Sequence, residues 1–126
     1  MQIGSRFAAS EESSAHAEFK KAILLAGEGD TKLSMKKLVP VRLLKNAFAE
    51  KVQELEALGA TKQELQDLLG KSRAKRGMFE GDLEEGELEI GQIAASIGAI
   101  KPAADIIEEI WQEFLTAKQG ICKLEL

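Results

Sequence analysis

The segment Gln2-Ile3-Gly4-Ser5-Arg6-Phe7 begins one residue after Met1 and constrains the fold more than any other stretch. It reads as a short apolar strand running straight into a glycine–hydroxyl turn. A strand's backbone groups need neighbours on both sides, and no secondary structure stands before this one to supply them. The expectation is a chain that forms the tail of something larger and carries half of a site.

At 126 residues the chain lies in the single-domain range and is long enough to bury a core. Charged residues make up 30% and apolar residues 44%, the balance of an ordinary soluble globular protein. Tyrosine is absent, and the aromatics are Phe7, Phe19, Phe48, Phe79, Trp111 and Phe114. The core is therefore expected to be built from Leu, Ile and Ala, which suits helices. Charge is unevenly spread: residues 1–79 hold 14 Lys/Arg against 10 Asp/Glu, and residues 80–126 hold 3 against 11. The net acidity argues against broad nucleic-acid binding, which rests on neutralising phosphates. The lone Cys122 excludes an internal disulfide and fits a reducing cytoplasm. No apolar run approaches the roughly 18 residues of a membrane helix, and the N-terminus lacks a signal peptide's apolar segment. The expected setting is cytoplasmic.

Helical signals dominate the rest of the chain. Ser10-Glu11-Glu12-Ser13-Ser14 supplies candidate caps for a helix over 14–26, with Ala15, Phe19, Ala22, Ile23 and Ala26 on one face and Gly27 and Gly29 ending it. Residues 30–40 show only a weak alternation of Leu33, Met35 and Leu38. Pro40 leads into a second expected helix over 41–58, closed by Gly59. Thr61 and Glu64 match a capping box for a short helix that ends at Gly70. Ser72 to Phe79 is expected to be helical, Gly81–Gly91 a loop, and Gln92–Ile97 a short apolar helix. Pro102, as the first helical residue, begins a last helix over 102–118. Its stripe of Ala103, Ile106, Ile107, Ile110, Trp111 and Phe114 is the strongest periodic signal in the chain.

The catalytic inventory is thin. His16 and Cys122 are single and lie at opposite ends of the sequence, which argues against a Cys/His nucleophile pair or metal site. His16, at a helix start, is expected to cap or face solvent. The acidic run from Glu80 to Glu87 fails as a calcium loop. With Asp82 as position one, its glycine, Gly86, falls at position five instead of six, and position twelve is Ile93 where a Glu is needed. It reads as a solvated turn. Lys71, Arg73, Lys75 and Arg76 read as a solvated helix face, with anion contact as the alternative. The opening turn is different. The amides of Gly4 and Ser5 and the Ser5 hydroxyl sit where a strand gives way to a helix, an arrangement able to cradle phosphate.

Several segments match one family together. QIGSRF, SEESSAHAEFKKAIL, GDT, PVRLLKN, RAKRGMFEGDLEEGELEIGQIAASI and KPAADIIEEIW resemble, in order and spacing, the C-terminal part of the FMN-dependent nitronate monooxygenases. These were formerly called 2-nitropropane dioxygenases, and the family includes the flavin-dependent enoyl-acyl-carrier-protein reductases. The resemblance spans about residues 2–115. It implies an α/β TIM-like barrel that binds FMN, beside a mostly helical second domain covering the active site. Residues 1–13 would then be the last barrel strand and its phosphate-binding turn, with Gln2, Gly4 and Ser5 at the FMN phosphate. The family usually has threonine where Ser5 stands. Residues 14–100 would form the cover domain, with Gly91 and Gln92 facing the flavin or substrate cleft. Residues 101–118 would pack on the barrel, leaving 119–126 as a tail. The first seven strands, the seventh-strand glycines and the family's upstream catalytic histidine have no counterpart here, and His16 is not that histidine.

The expected fold class is thus mainly α with a short N-terminal strand, a piece of a TIM-barrel flavoprotein. The expected function is part of an FMN-dependent oxidoreductase acting on a nitronate or NAD(P)H, inactive alone, with no catalytic or metal-binding residue of its own. The alternative is a free-standing helical interaction module that uses the 102–118 stripe as a partner or self-association face.

Overall fold

Backbone pairing decides the described part of the first segment, and from Gly4 onward it decides against a strand. The computed structural model describes residues 3–123, so Gln2 lies outside the described residues. Gly4–Ala8 is a short helix, α1, where the sequence suggested an extended run. No strand among the described residues lies alongside it, so a helical turn satisfies the backbone locally where an extended chain would leave it bare. The Ser10 N–H continues the turn onto the Phe7 carbonyl at 3.0 Å. The segment's sheet-like pairing comes later and is slight: Ser10 forms an isolated parallel bridge with Lys101.

Helix α2, Ala17–Leu25, starts at His16, whose Nδ1 accepts the Glu18 N–H at 3.2 Å. The capping expectation for His16 is therefore met. Gly81 packs against this imidazole at φ +82, and a Cβ there would sit 2.4 Å from Nδ1. One face of α2 buries Phe19 and Ile23. Lys20 is buried as well. Its ammonium donates to the carbonyls of Ser10 at 2.7 Å, Ser13 at 2.8 Å and Glu11 at 3.2 Å, which fastens the preceding connection to the helix. Three carbonyl dipoles replace the water that a buried ammonium loses.

The second expected helix splits. Thr31–Ser34 (β1) pairs antiparallel with Val41–Leu44 (β2), in a register running from Thr31 opposite Leu44 to Ser34 opposite Val41. Residues 41–44 are thus a strand. The helix begins only where Asn46 can cap it, its Oδ1 accepting the Ala49 N–H at 2.8 Å, and α3 runs Ala47–Ala57. The local apolar run suits either state; a partner strand at hand decides for β. Gly59, at φ +84, makes the turn after α3. Helix α4, Lys62–Leu69, carries the expected capping box, with Thr61 and Glu64 exchanging side-chain-to-backbone bonds. Helix α5 is Arg73–Met78.

The acidic stretch after α5 is corrected at its end. Glu80 and Glu84 are exposed, as a solvated turn requires, but Glu87 is buried, and so are Leu88 and Ile90 beyond it. The Leu44 N–H donates to the Leu88 carbonyl at 2.9 Å and the Ile90 N–H to the Arg42 carbonyl at 3.1 Å, so this segment touches β2 through an isolated antiparallel bridge between Leu43 and Glu89. Glycine makes the approach possible. A Cβ on Gly86 would fall 2.2 Å from both the Asp82 carbonyl oxygen and the Gly77 Cα. Two apolar clusters result. Phe19, Ile23, Leu44, Leu88, Ile90 and Ile97 form one. Met35, Leu43, Phe48, Val52, Ala60 and Leu65 form the other, with β2 contributing to both through alternate residues.

Residues Gln92–Ser96 form a 3₁₀ turn, and α6 then runs Ala103–Cys122. Pro102 is its N-cap and not its first helical residue, and the helix continues past the expected end at 118 into the supposed tail. Glu12 holds its start, the carboxylate accepting the Ala103 N–H at 2.8 and 3.1 Å. A carboxylate there also suits the positive end of the helix dipole. Ile106 is the one buried residue of α6 among those described, while Ile107, Trp111 and Phe114 are each more than half exposed. The stripe is present, but beyond Ile106 its large side chains Ile107, Trp111 and Phe114 are left uncovered by the described residues. No helix among the described residues is long and apolar enough to cross a membrane.

Candidate functional site

Two segments that the sequence singled out separately meet in space. The Gly91 N–H donates to the Ser5 Oγ at 3.0 Å, across 86 positions of sequence. The fit is close, since a Cβ on Gly91 would lie 2.6 Å from that oxygen. Gly4, next to Ser5, is exposed and would have no neighbour within 4 Å of an added Cβ. Gly4, Ser5, Val41, Arg42, Glu89 and Gly91 line a groove of about 400 Å³ over this contact. Gln92 opens on a second groove of about 570 Å³, shared with Glu28, Gly29, Thr31, Arg42 and Ser96. Gly91 and Gln92 therefore straddle two grooves. Gln2 cannot be placed among the described residues.

Arg42 lines both grooves, a place that sequence reasoning did not assign to it. Its position follows from register, since it stands opposite Leu33 in the hairpin, one residue before the buried Leu43. Its Nη1 donates to the Thr31 carbonyl at 3.1 Å and the Thr31 hydroxyl at 3.3 Å. No carboxylate among the described residues pairs with it.

Asn46 and Arg73 hold the groove wall from behind. Asn46 caps α3 with its oxygen, while its Nδ2 donates to the carbonyls of Leu83 at 2.9 Å and Gly86 at 2.8 Å. One amide thus fixes both a helix start and the segment leading to Gly91. Arg73, expected on a solvated face, lies instead over the Phe48 ring at 4.5 Å. It donates to the carbonyls of Leu69 at 2.9 Å and Leu68 at 3.0 Å, closing the end of α4, and to the Glu85 carbonyl at 2.7 Å. Lys75 and Arg76 do face outward, Lys75 pairing with Glu80 and Arg76 with Asp82. The Glu85 amide and the Arg76 guanidinium hold the Asp82 carboxyl below its ordinary range.

Glu87 is the perturbed group of this wall. Burial, and then the charge of Glu89, push its carboxyl up to about 7, with Arg73 opposing. Its backbone is anchored, the Glu87 N–H donating to the Arg73 carbonyl at 3.1 Å. A weakly acidic carboxyl close to a groove residue is a functional signal as well as a stability one. Sequence reasoning missed it because its burial depends on Gly77, to which the Glu87 backbone comes within 2.6 Å of an added Cβ. Cys122 is exposed near the end of α6, and His16 is occupied as a cap. No group of three or more His, Cys, Asp or Glu side chains is disposed to hold a metal among the described residues.

Residues 1–113 match the nitronate monooxygenase family. The chain belongs to that family. Among solved structures, FabK from Thermotoga maritima superposes with a TM-score of 0.85 at 38% identity, over 95% of this chain and 38% of that one. A mutant form of the same protein gives a TM-score of 0.76 at 33% identity, over 95% of this chain and 34% of that one. The chain therefore spans well under half the length of these relatives. No curated protein matches. For a nitronate monooxygenase relative, the meeting of Ser5 with Gly91 joins two stretches that the resemblance assigned to one cofactor and its cleft.

Proposed function

We propose that this chain forms one side of the FMN phosphate site, and the helical cover, of an oxidoreductase of the nitronate monooxygenase type. The observation that carries the reading is the Ser5–Gly91 contact, which holds the opening turn against the segment proposed to face the cleft. The residues present fit one edge of a phosphate cradle. Ser5 uses its oxygen as an acceptor for Gly91, which leaves its O–H to donate, and it donates to nothing else among the described residues. Gly4 leaves the main chain open to a ligand. Arg42 supplies a cation on the wall of the same groove.

When bound, FMN would accept electrons from a nitronate or from NAD(P)H. The work of this chain's own residues would be positional. Gln2, Gly4 and Ser5 would hold the phosphate end, and Gly91 and Gln92 would form part of the substrate cleft. The hairpin and α3 to α5, within residues 14–100, would close over that cleft and exclude water. The uncovered face of α6 would lie against the outside of the barrel, in the arrangement the family resemblance implies for residues 101–118.

On this reading the chain alone binds FMN weakly and turns nothing over. Flavin titration by fluorescence quenching, and nitronate-dependent oxygen uptake, check it on the purified chain; a tight yellow complex with turnover would show the partial-site reading wrong. Gly91→Ala, which drives a methyl onto Ser5, should lower any flavin affinity that is measured. A second reading, an interaction module acting through α6, draws on the Trp111–Phe114 pair, stacked at 5.5 Å between ring centroids and half exposed. Light scattering separates the two. A discrete dimer abolished by Trp111→Glu favours the module, and a monomer with this face bare favours the barrel contact.

A further inference from the structure

We infer that Arg42 is the phosphate-recognition residue of the two adjoining grooves, receiving the phosphate group of a nucleotide cofactor on the unused edge of its guanidinium. This goes beyond the proposed function, which places Arg42 only as a cation on the groove wall and gives the direct phosphate contacts to the opening turn, and rests on that reading only for which cofactor carries the phosphate.

A guanidinium keeps its charge at any accessible pH, and a half-buried one needs a counter-charge or a full set of acceptors. Arg42 has neither among the described residues. Its Nη1 reaches Thr31, while Nε and Nη2 donate to no described group. Those two nitrogens form the edge that meets two phosphate oxygens in parallel. The contacts to Thr31 fix the plane of the fork before any ligand arrives, which lowers the ordering cost of binding. Cross-strand register and the backbone bond from Ile90 to Arg42 hold the residue's main chain on both sides.

The surroundings suit a polar, anionic group. Thr31, Gln92 and Ser96 bring hydroxyls and an amide to the larger groove, and Gly29 leaves its lip low. The carboxylates nearby, Glu28 on the larger groove and Glu89 on the smaller, are not paired to Arg42 among the described residues. A guanidinium there only to strap the hairpin would need Nη1 alone. The two-nitrogen edge is what a strap does not explain.

The test uses the full chain and inorganic pyrophosphate as the probe. The Arg42 Nε–H resonance is followed by ¹⁵N NMR through a titration. A saturable shift is expected in the wild type; calorimetric titration, which needs no Arg42 resonance, should show pyrophosphate binding lost in Arg42→Gln and weakened by about tenfold or more in Arg42→Lys, which keeps the charge but loses the fork. No shift at Arg42 in the folded wild-type chain overturns the proposal. So does pyrophosphate affinity in Arg42→Gln equal to that of wild type. Should Arg42→Gln not fold, the Arg42→Lys chain and the wild-type resonance still decide the matter. Two ligand pairs then name the source, FMN against riboflavin and NADPH against NADH, since each pair differs by one phosphate. The pair whose discrimination falls in Arg42→Lys identifies the cofactor. Pyrophosphate binding at Arg42 with no preference for FMN over riboflavin would leave this inference standing and count against the proposed FMN site.

Discussion

The α3–α4 unit and α6 are built from similar residues and end in opposite states. In the first, Phe48, Val52 and Leu65 are fully enclosed, and Thr61, Asn46 and Arg73 satisfy the ends of the helices. In the second, twenty residues bury one side chain, Ile106, while a stacked aromatic pair stays half in water. The difference lies in the neighbours and not in the periodicity. A stripe at helical spacing says that burial is wanted, and only the fold says whether the cover comes from the same stretch of chain.

The comparison breaks first at Phe48. Phe48→Ala should cost about 3–5 kcal/mol through lost transfer and cavity, together with its contact to Arg73. Urea denaturation measures it; a loss near zero would mean the α3–α4 core is not what holds the chain. Asn46→Ala comes next, at about 2–3 kcal/mol, because a helix cap and two bonds to the 83–86 backbone go together. Its signature is earlier hydrogen exchange at Gly86 to Ile90, ahead of α4.

Glu87 sharpens the comparison through pH. Its carboxyl titrates at about 7 in the fold against 4.5 for the ordinary group. Between those values the unfolded chain gives up a proton that the folded chain keeps. Stability is therefore highest below that window and falls as pH rises through it, by about 1–3 kcal/mol for one group of this kind. Denaturant midpoints measured at about pH 5 and about pH 8 should differ in wild type and nearly coincide in Glu87→Gln. A wild-type chain that gains stability over that range would refute the assignment. The smallest effect is expected on the other side of the comparison: Phe114→Ala, at a half-exposed position, should change stability by about 0.5 kcal/mol or less. It should still reduce any concentration-dependent association seen by sedimentation.

What the sequence made legible was local. The capping box at Thr61 and Glu64, the cap at His16 and the stripe of α6 all rest on residues within a turn or two of each other. What it hid was non-local. Val41–Leu44 suits a helix or a strand by its own pattern, and only the presence of Thr31–Ser34 opposite makes it β. The opening segment, read as extended, takes a helical turn because no strand among the described residues flanks it. The end of the acidic run, at Gly86 and Glu87, is buried because glycines 77 and 86 let two backbones touch, a fact that charge counting cannot carry. For the candidate site, Ser5 was singled out by its turn and Gly91 and Gln92 through family resemblance, yet the contact between Ser5 and Gly91 was not readable. Arg42 stood inside the segment PVRLLKN with no role, since its significance depends on which grooves the hairpin borders.

The carboxylate of Glu12 on the first amide of α6 has a further effect. It ties the long helix to the α1–α2 connection by its root, independently of what its apolar side touches. With buried Ile106 and the Ser10–Lys101 bridge beside it, that contact presents Trp111 and Phe114 on a platform already aimed, so little orientational freedom would remain to be frozen on contact.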